Sequence, residues 1–281
     1  MQNPPRWVST NGDVERPNVA RLFDYYLGGA HNFAVDREFA HRSMSEIPTA
    51  AMVQHTRAFL RRAVRHCVAK GIRQFLDLGS GIPTAGNVHE VAQQADPTCR
   101  VVYVDNEAAT VAHSRTMLRD IAGAAIAEAD IRDVDAVLNA PEVRDLLDLT
   151  RPIAVLMVAI LPYVSDDDGP AELVARYRDA LADGSYLVLS HLTADEQPEV
   201  VHKLIGMIAE TMTPVVARSK ADVEAMLDGF DLLDPGLVLT TAWRGEDEPA
   251  TGVESVSYGA VGVKRPNGIT DDQGSAASAP R

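Results

Sequence analysis

The sequence predicts an α/β fold in which a mostly parallel sheet is covered by helices on both faces. Three observations carry that prediction. From about residue 74 short apolar runs alternate with longer amphipathic segments. The runs, such as VVYVD (101–105) and AVLMVAI (154–160), are too apolar to have a wet face, as expected of parallel strands buried by crossover helices. Three of them end at or next to an aspartate, Asp77, Asp105 and Asp130, and ligands of open parallel sheets sit beyond the carboxyl ends of the strands.

The elements follow in order. Residues 48–71 place Met52, Val53, Phe59, Leu60, Ala63, Val64, Cys67 and Val68 on one helical stripe, with Arg57, Arg61, Arg62, Arg65 and Lys70 mostly opposite and Gly71 as a stop. The pattern then changes to IRQFLDLGSG (72–81), a buried strand feeding a tight turn. Helices are expected over 85–94, 108–121, 134–149, 170–182 and 197–212, and strands over 100–105, 125–130, 153–160 and 186–191. A helix over 219–230 opens with the capping-box pair Ser219 and Asp222. Two strand-like runs, 232–243 and 253–263, have no helix between them and predict a hairpin-like ending. From Arg265 the chain is small, polar and Pro/Gly-rich, which predicts a disordered tail over 265–281. The organisation read from this is an N-terminal cap over 1–73, a core over 74–264 and the tail.

Composition narrows the function. With 281 residues, 46% of them apolar, the chain buries a core without staples. Its two cysteines, Cys67 and Cys99, form no CxxC, which removes zinc ribbons, thioredoxin-like motifs and a disulfide scaffold. The longest apolar run, 153–164, has 12 residues, against roughly 20 for a bilayer span. The first twenty residues carry no apolar signal region, so a cytoplasmic protein with no membrane partner is expected. The net charge of −14 argues against nucleic acid as a partner. The charge is uneven: residues 1–73 hold 11 Lys or Arg against 6 Asp or Glu, and the rest 15 against 34. The basic part reads as a solvated helix face.

Gly79, Ser80 and Gly81 follow Asp77 in a turn where backbone can approach a ligand. Pro83 suits the first position of a following helix. Asp105 stands 28 positions after Asp77, where a carboxylate accepts both hydroxyls of a ribose, and Asn106 follows it. Asp130 and Ile131 end the next strand, within reach of an adenine amino group. The dinucleotide fingerprint GxGxxG fails at Thr84, and no tyrosine is followed four positions later by lysine, so nicotinamide-dependent hydride transfer stands only as an alternative. The eight histidines form no metal-ligand spacing, and no metal is assigned.

FLDLGSGIP (75–83), VVYVDNE (101–107), EADIRD (128–133), VLMVAILPYVSDDDGP (155–170) and YLVLSH (186–191) resemble the successive motifs of class I S-adenosylmethionine-dependent methyltransferases. ARLFDYYLGGAHNFAVDRE (20–38) further resembles an actinobacterial S-adenosyl methyltransferase family formerly held as a domain of unknown function, with the likeness covering about 17–263. The resemblance implies a Rossmann-like, seven-stranded class I methyltransferase fold with a helical N-terminal cap, binding S-adenosyl-L-methionine. It implies that Gly79 and Gly81 face the methionine part and Asp77 receives its ammonium group. Asp105 then holds the ribose, Asn106 flanks the adenine, Asp130 accepts from its amino group, and Ile131 packs on its ring or donates its backbone N–H. Pro83 stands where the family motif has a third glycine.

Two further candidates come from position. The stretch Tyr25, Tyr26, Gly28, Gly29, His31, Asn32 is either a lid, with Tyr25 or Asn32 on the cofactor carboxylate, or a short packing helix ended by two glycines. His191, directly after a strand, is a candidate catalytic base on the acceptor side. The strand end ILPY (160–163) lacks the polar residue that positions a base amine in nucleic-acid methyltransferases, so a small-molecule acceptor is expected. A non-catalytic sensor that binds the same cofactor remains the alternative from another class.

Overall fold

Among the described residues three helices precede the first strand: α1 (Val19–Tyr26), α2 (Ala34–Glu46) and α3 (Thr49–Ala69). The structure, a computed structural model, describes residues 15–83, 86–211, 214–245 and 253–266. The alternation then runs β1 (Gln74–Leu78), α4 (Val88–Ala95), β2 (Arg100–Asp105), α5 (Ala108–Leu118), β3 (Ala124–Glu128), α6 (Val134–Asn139), α7 (Pro141–Leu146) and β4 (Ala154–Val158). It continues with α8 (Pro170–Ala180), β5 (Tyr186–Leu192), α9 (Pro198–Ile208), α10 (Lys220–Met226), β6 (Phe230–Leu232), β7 (Val238–Leu239) and β8 (Ser257–Lys264).

The sheet order is β3-β2-β1-β4-β5-β8-β6, with β7 on β8. β1 to β5 are parallel, and β8 is antiparallel to β5, β6 and β7. Among the described residues the sheet has eight strands where seven were expected, because Pro235 and Gly236 split the run 232–243 and leave the two-residue β7 paired through Val238 and Leu239. The expected helix over 134–149 is two: Pro141 opens α7 and holds Ala140 at ψ 138°, outside the helical region. Pro83 opens no helix, because α4 starts only after Gly86, with Asn87 as its N-cap. The Ser219–Asp222 capping box forms as read, but α10 ends at Met226 and Phe230 starts β6. The expected tail lies outside the described residues apart from Arg265 and Pro266.

Successive strand residues enter two cores. Leu76, Val102, Val155 and Leu187 pack with α6, α7, α8 and α10. Phe75, Val101, Leu156 and Val188 pack with α3, α4 and α5 around Trp243. Burial on both faces is what allows unbroken apolar runs to be strands. The arginines of α3 are largely engaged: Arg62 donates to the carbonyls of Thr240 and Trp243, and Arg57 to Asn87. Among the described residues no helix is long and apolar enough to cross a membrane.

Candidate functional site

A cavity of about 740 Å³ lies beyond the carboxyl ends of β1, β2, β3 and β4, within the roughly 300–1,000 Å³ of small-molecule sites. Strand order reverses between β1 and β4, the switch point at which α/β sheets bind ligands. Asp77, Gly79, Ser80, Gly81, Asp105, Asn106, Asp130 and Ile131 all line it. Tyr25, Asn32 and His191 do not.

The turn after β1 is tied to β2. The N–H groups of Gly79 and Ser80 donate to the Val104 carbonyl, and the N–H of Gly81 donates to Asp105 Oδ2 at 2.9 Å. Both glycines take positive φ, +68° and +62°, where a side chain is strained. A Cβ on Gly79 would run into Ile160, and one on Gly81 would stand 3.6 Å from Ala20 of α1. Asp105 Oδ1 accepts from the N–H of Glu107 at 3.0 Å. Each carboxylate oxygen thus keeps acceptor capacity for a ligand hydroxyl.

Asp77 is buried in β1, and burial pushes its carboxyl up to about 7; the Arg57 guanidinium opposes the shift and Asp105 adds to it. Arg57 itself is pulled down by burial, with Asp77 the largest opposing influence. Sequence reasoning placed Arg57 among the residues mostly opposite the apolar stripe. The usable signal was its phase, four residues after Val53 and three before Leu60, both of which also line the cavity.

At the other end Asp130 is held by Arg132, whose Nε and terminal nitrogen donate to it at 3.0 and 2.6 Å. That pairing holds its carboxyl below the ordinary value, with a smaller contribution from Asn106. Arg132 also reaches Asp168 at 3.3 Å, joining the loop after β3 to the loop after β4. Ile131 is buried, and its carbonyl accepts from the Tyr177 hydroxyl.

The N-terminal segment does wall the cavity, but through other residues than those expected. Asn18, Val19, Ala20, Phe23 and Asp24 line it. Tyr25 instead meets His41 at 2.7 Å on the far side of α1, because neighbouring helical positions point about 100° apart. Asn32 donates to Asp24 Oδ2 and to the Gly29 carbonyl, so it supports Asp24 rather than reaching the cavity itself. The loop 28–32 wraps around Asp24, which also accepts from the N–H of His31.

His191, expected as a candidate base on the acceptor side, does not line the cavity. It is fully buried; Nδ1 donates to the Leu192 carbonyl, and Nε2 accepts from Arg218 at 2.9 Å. Burial pulls its imidazole down to about 4. Arg218 also donates to the carbonyls of Leu161 and Val164 and to Asp166, so His191 helps hold the loop after β4. His191→Ala is therefore expected to lower Tm by roughly 3–10 °C, the loss of a buried charge-assisted hydrogen bond. Calorimetry with a ligand titration checks this: weakened cofactor binding at unchanged Tm would contradict the positioning role.

Among the described residues six carboxylates line the cavity, Asp24, Asp77, Asp105, Glu107, Asp130 and Asp168, against two guanidinium groups, Arg57 and Arg132. That donor set fits a cationic ligand carrying an ammonium, a carboxylate and a ribose, as S-adenosylmethionine does. Among the described residues no three His, Cys, Asp or Glu side chains are placed to hold a metal ion.

Residues 5–265 match the protein family described as S-adenosyl methyltransferase. A provisionally assigned methyltransferase of Thermobifida fusca, known from a crystal structure, is similar at 36% identity and a TM-score of 0.85, over 93% of this chain and 100% of that one. A DUF574 family protein of Streptomyces avermitilis is similar at 37% identity and a TM-score of 0.85, over 90% of this chain and 99% of that one. No curated protein matches the sequence.

Proposed function

Because the chain belongs to the S-adenosyl methyltransferase family and is an S-adenosylmethionine-dependent methyltransferase, we propose that it methylates a small-molecule acceptor, with the cofactor lying across the ends of β1 to β4. Family membership sets aside hydride transfer. The observation that carries the reading is the acid-lined cavity at the switch point, with Asp77 near the end of β1, Asp105 ending β2 and Asp130 two residues past β3, all at the carboxyl edge of three neighbouring strands.

Each residue then has a task. Asp77 takes the ammonium group and Arg57, beside it, the carboxylate. Asp105 accepts from the ribose hydroxyls, and Asn106, Asp130 and Ile131 frame the adenine. Gly79, Ser80 and Gly81 form the floor, and α1 closes the cavity over it. When bound, S-adenosylmethionine would supply an activated methyl group to the acceptor's lone pair, the carbon–sulfur electrons remaining on sulfur and the acceptor's proton going to bulk solvent as the product leaves. The chain's own contribution is alignment and exclusion of water, which needs no obligatory acid or base.

The raised Asp77 carboxyl gives a test with a defined sign. Its ordinary value is 3.8 and its folded value about 7. Between the two the folded protein binds the extra proton, so the stability it contributes is lost as pH rises through about 7. An ammonium beside it favours the ionised form, so cofactor affinity changes the opposite way. S-adenosylhomocysteine is expected to bind about tenfold more tightly at pH 8 than at pH 6. Calorimetric titration of Asp77→Asn should give weaker binding with the slope removed. Equal wild-type affinity at both pH values would take Asp77 out of the ammonium site.

A further inference from the structure

Beside the acid-lined cavity lies a second one of about 100 Å³ with a different character. Val19, Phe23, Val53, Thr56, Ala159 and Tyr163 line both, so the two share a wall. Among the described residues no charged one lines the second cavity, whose remaining walls include Leu22, Met52, Leu204, Val215 and Val256. Its size suits one ring, since a dry apolar cavity of about 150 Å³ takes benzene.

Most polar groups in this cavity are already engaged. The Tyr26 hydroxyl meets Ser43 Oγ at 2.6 Å, Ser43 Oγ meets Thr49 Oγ1 at 3.1 Å, and Thr56 donates to the Met52 carbonyl. The hydroxyls of Tyr163 and Ser257 make no hydrogen bond to another described residue, and of these two Tyr163 alone also faces the cofactor cavity. Next to it Ala159 holds φ +60° at the end of β4. A non-glycine residue there is strained, and strain of this kind collects at functional sites.

We infer that the second cavity seats the methyl acceptor, and that the acceptor is an uncharged molecule with an apolar body about one ring in size and a hydroxyl directed at Tyr163. The inference rests on the cofactor placement proposed above and adds the acceptor class to it. An anionic acceptor is disfavoured twice, by the apolar walls and by the six carboxylates next door. The Tyr163 phenol, which burial keeps protonated, both donates and accepts, so it can orient a hydroxyl without ionising it. Tyr163 is thus a positioning residue for the acceptor.

Phenol, toluene and benzenesulfonate serve as probes, titrated by ligand-observed NMR into the full chain with and without saturating S-adenosylhomocysteine. Phenol is expected to bind in the millimolar range and benzenesulfonate at least about tenfold more weakly. Leu204→Trp and Val215→Phe, which fill the second cavity from separate segments, should remove phenol binding and leave S-adenosylhomocysteine affinity within twofold. Tyr163→Phe should weaken phenol about tenfold and leave toluene unchanged. Phenol binding that survives both filling variants, sulfonate binding as tight as phenol, or no phenol binding at all overturns the inference. Failure of S-adenosylhomocysteine to bind counts against the cofactor site alone, because the titration without it still locates the ring through the two filling variants.

Discussion

Asp105→Ala is expected to lower affinity for S-adenosylhomocysteine by at least about 100-fold, since hydrogen bonds to a charged acceptor contribute roughly 1.5–3 kcal/mol each and two ribose hydroxyls are at stake. The carboxylate has a second task that sharpens the expectation. Its Oδ2 accepts the N–H of Gly81 and its Oδ1 that of Glu107. Removing it releases the glycine turn from β2 as well as the ribose. Burial pushes this carboxyl upward, and the backbone N–H groups of Glu107, Gly81 and Asn106 oppose that shift; alanine removes these contacts. Asp105→Asn is a stringent companion: its amide offers only one acceptor oxygen, so either Gly81 or Glu107 loses its partner. Asparagine should therefore fail to restore binding. Titration calorimetry reads both, and an alanine variant within fivefold of wild type would remove Asp105 from the ribose site.

The residues named from sequence and those found on the cavity wall divide along a physical line. Asp77, Asp105 and Asp130 were legible because strand ends of a parallel sheet share one edge, so three local signals in one alternating pattern fix a common location. Pro141 was visible in the sequence as a helix breaker, yet the amphipathic pattern carried the expected helix across it. Tyr25 and Asn32 have suitable chemistry, but which side of the eight-residue α1 meets the cavity is decided by packing on α2 and α3, and Asn32, in the loop beyond it, is held by Asp24 and Gly29. The facing residues are Ala20, Phe23 and Asp24. Arg57 was hidden because arginine on a helix is usually solvated, and only tertiary packing sets it beside a buried carboxylate. His191 shows the reverse: a reactive side chain at a strand end is turned inward and meets Arg218. The apolar cavity is assembled from segments near residues 19–56, 159–163, 192–215 and 256–257. No local pattern brings those four segments together.

The second large effect is expected at Gly79, where space and backbone make separate demands. Gly79→Ala places a side chain at φ +68°, costing about 1–2 kcal/mol, and its methyl group meets the Ile160 side chain. Ile160 is partly exposed and lines the cofactor cavity, so the relaxation open to it is into the space the cofactor needs. The variant should thus lose a few degrees of Tm and tenfold or more in S-adenosylhomocysteine affinity, about 1.4 kcal/mol or more. Adding Ile160→Ala separates the two causes. The double variant regains room and hence affinity, but the backbone strain and the lower Tm remain, because φ is unchanged. In a double-mutant cycle the pair is then strongly coupled in binding and nearly additive in stability. Additivity in both would mean that Ile160 does not transmit the clash. The glycine would then be required for its backbone angle alone, and the close approach of the β4 exit to the β1 turn would have no part in shaping the cofactor site.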